Sequence, residues 1–171
     1  MILTGSEIIR NQNSGTIIIE PFDERFVEPN SYGFHLKNEL KIYQNEIIHV
    51  DQYNESETII IEEDGFLLEP GRFYLGSTVE TIGSYNHTCL LYSRFSTSLC
   101  GIFIQTSAPV GHVGAIIPWT LEIVVAHPVI VYPGMLIGKI SFWENKGVVE
   151  LYNGKYKESK SVTTSLLFLE T

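Results

Sequence analysis

The feature that most constrains this chain is a succession of short β-branched or aromatic runs, each cut off after a few residues by Gly, Pro, Asn, Asp or Ser. Thr16 to Glu20, Phe34 to Leu36, Leu40 to Tyr43, Ile47 to Val50, Thr58 to Glu62 and Phe73 to Leu75 are such runs. Leu90 to Ser93, Gly101 to Gln105, Thr120 to Val125, Val129 to Val131 and Leu136 to Phe142 continue the series. Residues of this kind suit a pleated, half-buried surface, and the breaks between them are turn formers. So many short strands with so little helix predict a sandwich, jelly roll or barrel. Glu69-Pro70-Gly71 and Tyr132-Pro133-Gly134 each set a Pro-Gly turn before an apolar strand, with Pro fixing φ and Gly accepting a positive one. Ser6-Glu7-Ile8-Ile9-Arg10 offers one short helix, stopped between Asn11 and Gly15.

At 171 residues, 44% apolar and 18% charged, the chain is expected to form a single domain with a sizeable core. Its 20 acids against 11 Lys and Arg give a net charge of −9, which argues against a partner of duplex nucleic acid. Any phosphate must therefore be held locally. No apolar stretch reaches membrane-spanning length, and Met1 to Ser6 lacks a basic segment followed by a signal-length apolar run, so the expected location is cytoplasmic, with no membrane partner. Cys89 and Cys100, outside any CxxC, are expected as two reduced, buried thiols. The five histidines are scattered, no H-x-E plus C-x-x-C pattern of the zinc deaminases is present, and no protein-held metal is expected.

One residue interrupts the strand pattern chemically. In Thr120-Leu121-Glu122-Ile123-Val124-Val125 a single carboxylate sits inside an apolar run. Either Glu122 points to solvent from a half-buried strand, or it is desolvated enough to serve as a general acid or base near neutral pH. The strand alone leaves both readings open. The tail 153–171 begins polar and basic and ends in Leu166-Leu167-Phe168-Leu169. If that apolar run docks, the basic part becomes an arm over a neighbouring surface; if not, it is a frayed terminus.

Separated blocks then converge. Ile17-Ile18-Ile19-Glu20-Pro21-Phe22, Pro29-Asn30-Ser31-Tyr32, Arg94-Phe95-Ser96, Thr120-Leu121-Glu122-Ile123, Pro133-Gly134-Met135-Leu136-Ile137-Gly138 and Gly154-Lys155-Tyr156 resemble, in order and spacing, the dCTP deaminases. That family includes bifunctional dCTP deaminase/dUTPases and shares the trimeric dUTPase fold. The resemblance implies a distorted β-barrel or jelly roll of the β-clip type with one or two short helices. It further implies a homotrimer with nucleotide sites between subunits, and Mg²⁺ that arrives bound to the triphosphate. The implied reaction is hydrolytic deamination of dCTP to dUTP and ammonia. Glu122 matches the general base, and the backbone carbonyl of Ala108 matches the group that holds the attacking water. Arg94, Ser96, Lys155 and Tyr156 match phosphate ligands, a role that a guanidinium fork, a hydroxyl and an ammonium suit. Thr120, two residues before Glu122, shares its strand face near the base edge. The tail 153–171 matches the arm that closes over the nucleotide.

The departures from the family pattern fall on the chemistry. Phe95 stands where a serine orients the water, and phenylalanine offers no hydrogen bond. Leu99 replaces an arginine that interacts with the glutamate. His112, in Gly111-His112-Val113-Gly114, replaces the aspartate that holds the sugar hydroxyl and, in dUTPases, activates water. Gly33 replaces an aspartate after Ser31-Tyr32 and reads as structural. Ala115 to Trp119 is bulkier than the family's glycine-rich counterpart. These changes are expected to damage dUTP hydrolysis most. They also raise the alternative of a family member that binds a nucleotide or protein partner without deaminating dCTP.

Overall fold

Strands dominate because the β-branched and aromatic runs suit a pleated, packed surface. In the computed structural model, which describes residues 1–170, helix α1 (Gly5–Asn13) leads into β1 (Ile17–Glu20), β2 (Val27–Glu28), β3 (Ser31–His35), β4 (Glu39–Tyr43), β5 (Ser56–Ile60) and β6 (Phe66–Leu68). There follow β7 (Tyr74–Ser84), β8 (His87–Ser93), helix α2 (Phe95–Leu99), β9 (Ile102–Ile104), β10 (Val110–Gly111), β11 (Ile117–Val125), β12 (Val129–Val131) and β13 (Leu136–Glu144). Past β13, the only regular element among the described residues is a 3₁₀ turn at Leu167–Leu169.

A six-stranded antiparallel sheet runs β5-β4-β7-β11-β9, with β1 also paired to β7. A five-stranded sheet runs β10-β8-β13-β3-β2, and β12 and β6 form a separate ribbon. The sheets do not join into a closed barrel. They share one core, to which Ile17, Leu40, Tyr74 and Leu121 come from the first and Phe34 and Phe142 from the second. The two Pro-Gly turns behave as read, with Gly71 at φ +79° before β7 and Gly134 at φ +70° before β13.

The long strand β7 is the spine. Its Ile17-facing end pairs with β1 and its start with β4, while β11 runs along the other edge. That second ladder breaks: Pro118 pairs with Thr81 but Thr120 pairs with Ser77, so three residues of β7, Thr78 to Glu80, face Trp119 alone. Pro118 has no N–H to give a ladder. The Thr78 hydroxyl fills the gap, donating to Glu80 O at 2.7 Å and accepting from Trp119 N–H at 2.9 Å. Glu80 is only 2% exposed, and its carboxylate accepts from the backbone N–H of His35 at 3.0 Å and meets the His35 ring Nδ1 at 2.5 Å. The bulge is thus tied to the end of β3, in the other sheet.

Besides the short strands β2, β6 and β10, which the sequence pattern did not single out, the structure differs from the sequence expectation in three places. Ile47 to Val50 is not a strand; it lies in an exposed excursion between β4 and β5, where the Asn54 side chain bonds His49 N–H, His49 O and Gln52 O in place of ladder partners. Strand β7 extends to Ser84, far past Leu75; its buried polar residues Thr78 and Glu80 are held by hydrogen bonds that reach Trp119 and His35 rather than by hydrophobicity. Helix α2 occupies Phe95–Leu99, a segment read only as a motif.

At the turn from β7 to β8, Ser84 Oγ donates to Thr16 O at 2.9 Å and accepts from the N–H groups of Asn86 and His87. The His87 ring lies 3.0 Å from Ser84 Oγ through Nδ1. Burial pushes His87 below its ordinary value of 6.5. As pH falls through 6.5 the unfolded chain takes up the proton first, so acid favours unfolding until the native ring also protonates. Urea unfolding midpoints measured across this range should fall with acidification, and His87→Gln should flatten that slope.

Candidate active site

After the bulge, β11 alternates strictly: Leu121, Ile123 and Val125 enter the core, leaving Thr120, Glu122 and Val124 on the opposite face. Thr120 and Glu122 thereby reach the wall of a cavity of about 600 Å³, a volume typical of small-molecule sites. Glu122 is half-buried at this wall, and its carboxylate has no hydrogen bond or ion pair among the described residues. Ala108, His112 and Tyr156 line the same cavity, so five of the sequence-derived site residues converge there.

Aromatic side chains shape the rest of the wall. Trp119, the β11 residue at the bulge, is fixed by its Nε1–H donating to Ile82 O at 2.8 Å. Its ring lies against Gly111, where a Cβ would come within 2.6 Å of the indole. His112 stacks on Tyr152 with ring centroids 5.6 Å apart and an interplanar angle of 11°. Tyr43 and Phe73 close the remaining side.

Gln105 carried no signal in the sequence, yet it joins two of the candidate groups. Its Oε1 accepts the Glu122 N–H at 2.8 Å and its Nε2 donates to Ala108 O at 3.3 Å. Its backbone φ is +50°, the only positive value at a non-glycine position among the described residues.

The tail docks rather than frays. Tyr152 N–H donates to Val113 O, Thr163 N–H to Thr120 Oγ1, Ser165 N–H to Tyr43 Oη and Leu166 N–H to Tyr156 Oη, at 2.7 to 3.0 Å. Val162 is buried, and Phe168 meets Tyr53 edge to face. Residues 152–165 thus lie over the cavity and supply part of its lining. Thr171, the last residue of the expected arm, lies outside the described residues.

The expected phosphate ligands are not all at this cavity. Arg94 precedes α2 and its Nε donates to Glu28 at 3.4 Å; Ser96 is exposed on α2. Lys155 turns away from the cavity to Leu166 O, at 2.9 Å, and to Glu170. Phe95 and Leu99, the two apolar replacements, are 75% and 70% exposed on α2 and line no part of the cavity. No Lys or Arg is among the described lining residues, and no cluster of three or more His, Cys, Asp or Glu able to hold a metal occurs among the described residues. Cys89 is buried as expected, and burial pushes its thiol up to about 12, which removes it as a nucleophile; Cys100, expected to be buried too, is exposed at the end of α2. Among the described residues, no helix is long and apolar enough to cross a membrane.

Residues 2–145 match the family model described as dCTP deaminase-like. A protein of Clostridium beijerinckii named "dCTP deaminase, dUMP-forming" is 43% identical over 169 residues, spanning 98% of this chain and 97% of its own. A protein of the same name from Cytophaga hutchinsonii is 41% identical over the same coverage. The 2'-deoxycytidine 5'-triphosphate deaminase of Agrobacterium tumefaciens shares the fold, with a TM-score of 0.66 at 19% identity across 84% of this chain and 48% of that longer one. Taken with the cavity built around Glu122 and Ala108, these matches place the chain in the dCTP deaminase-like family.

Proposed function

We propose that the protein deaminates dCTP, taken up with Mg²⁺ on its phosphates, and carries the nucleotide on to dUMP. The observation that carries this reading is the unpartnered Glu122 carboxylate facing the same cavity as Ala108. Water held by the Ala108 carbonyl loses a proton to Glu122 as its oxygen bonds C4 of cytosine. Glu122 then returns the proton to the departing amine, the C4–N bond breaks, and ammonia leaves. A desolvated wall of aromatic side chains strengthens each polar contact made there.

The expected end point of dUTP is revised, because the curated relatives are named for forming dUMP. Reaching dUMP adds a second hydrolysis: water attacks the α-phosphorus and pyrophosphate departs. His112, which lines the cavity at the position of the family's water-activating aspartate, is the residue available to take that proton in its neutral form. The relatives lend no support to the non-catalytic alternative, and Phe95 and Leu99 stand outside the cavity of their own chain. Incubation with dCTP and Mg²⁺ should yield ammonia and dUMP. Glu122→Gln should cut turnover by about 10²–10⁴-fold, and His112→Ala should keep ammonia release while dUTP accumulates. A folded wild-type protein that releases no ammonia from any cytosine nucleotide would refute the reading.

The same reading includes a homotrimer with shared sites. It is supported by the placement of Arg94 and Ser96 on a helix outside their own chain's cavity, which has no cation in its described lining. A triphosphate needs cations, and a second copy can bring them. Light scattering should give three times 19.3 kDa. Mixed assemblies of Glu122→Gln and Arg94→Ala subunits should regain activity that neither variant has alone; a monomer of full activity would exclude the shared site.

A further inference from the structure

The ladder between β9 and β11 ends with Ile104 opposite Ile123, and one more step would set Gln105 opposite Glu122. Half of that next pair is kept, since Gln105 N–H donates to Glu122 O at 3.2 Å. The backbone then turns at φ +50°, and the other half is supplied by the side chain, whose Oε1 takes the Glu122 N–H at 2.8 Å. A carboxamide has one acceptor end and one donor end, so its Nε2–H is directed to Ala108 O at 3.3 Å.

We propose that Gln105 is a positioning residue that holds the base Glu122 and the water-holding carbonyl of Ala108 in one fixed frame. The inference deepens the deaminase reading and rests on it.

Three facts support the role. The side chain is buried, with its amide used at both ends, so it has a single orientation. The left-handed backbone at this position disfavours a non-glycine residue, and a glycine would avoid that cost but could not bridge the two groups. The segment from Thr106 to Pro109 has no strand ladder of its own, which makes the Gln105 amide the side-chain link from Ala108 O to β11. Gln105 itself acts through these two groups; it is not assigned a contact with the reacting atoms. An error of about 1 Å in such a frame commonly costs about 10²-fold in rate.

The test uses the full chain with dCTP and Mg²⁺, comparing Gln105→Leu and Gln105→Glu with wild type, and thermal unfolding is recorded alongside. Gln105→Leu loses both bonds, and its kcat should fall about 10²-fold with KM changed by no more than a few-fold. Gln105→Glu adds a specific pH effect. When protonated, the new acid accepts from Glu122 N–H and donates its O–H to Ala108 O, as the amide did. When ionised it has no proton to give, and it repels the carbonyl. The ratio of Gln105→Glu to wild-type kcat should therefore decline as pH rises, while the Gln105→Leu ratio stays flat, a pattern that general loosening of the fold does not produce. A pH-independent Gln105→Glu ratio, or a Gln105→Leu kcat within about twofold of wild type, overturns the role. Should Gln105→Leu fail to fold, the Gln105→Glu profile decides alone. Absence of wild-type turnover would instead sink the deaminase reading, and this role with it.

Discussion

The break in the β7–β11 ladder is the constraint on which the site depends. Had Trp119 continued the pairing of Ile117 and Pro118, the strand would stay in simple register with β7. Instead, three β7 residues pass opposite one residue of β11, and the Thr78 hydroxyl takes over the bonds that the ladder loses. A bulge of this size bends and twists its strand locally. Its position between Ile117 and Thr120 lets Trp119 turn to the cavity while Leu121 and Ile123 stay in the core. The arrangement includes a buried acid, Glu80, whose side chain is held by the backbone N–H and the ring of His35. A polar device between the two sheets is thus what lets an apolar strand present Glu122.

The two edges of β11 divide the remaining labour. Toward β7 the bulge sets Thr120 and Trp119; toward β9 the ladder ends, and the Gln105 amide carries it one step further to reach Ala108. Both arrangements replace a backbone hydrogen bond by one from a side chain. Side-chain bonds of this kind are directional and local, so they can set the relation of two groups where regular pairing has stopped. The cavity lies at the part of the sheet where regularity has been given up on both sides.

How legible this was depended on whether a residue's role follows from a repeating pattern. The short runs and Pro-Gly turns expressed the strand architecture, since alternation is a local property. The family resemblance named Glu122, Ala108, Thr120, His112 and Tyr156, and these five line one cavity. Strand β7 was read too short because its polar residues are buried by bonds to sequence-distant partners, as with Glu80 and His35, and no window of the sequence contains both. Ile47 to Val50 looked like a strand by composition, but Asn54 wraps that segment into an exposed loop. Gln105 was invisible for a third reason: its role comes from one left-handed backbone angle, and glutamine has no preference for that angle that would announce it.

Charge shapes the last part of the problem. The chain carries a net charge of −9, and its cavity contains Glu122 but no cation among the described lining residues, so a triphosphate has no counter-charge within it. The two cations that the family resemblance assigns to phosphate are both occupied, Arg94 by Glu28 at 3.4 Å and Lys155 by Glu170 and a backbone carbonyl. Neither arrangement is a strong competitor. Partly exposed ion pairs contribute about 0–1 kcal/mol each, whereas phosphate offers a fixed, doubly bonding anion to a guanidinium and a dense charge to an ammonium. Exchanging a carboxylate partner for a phosphate is therefore inexpensive at either residue. For Lys155 the exchange would also release the contact from its own arm residue, Glu170.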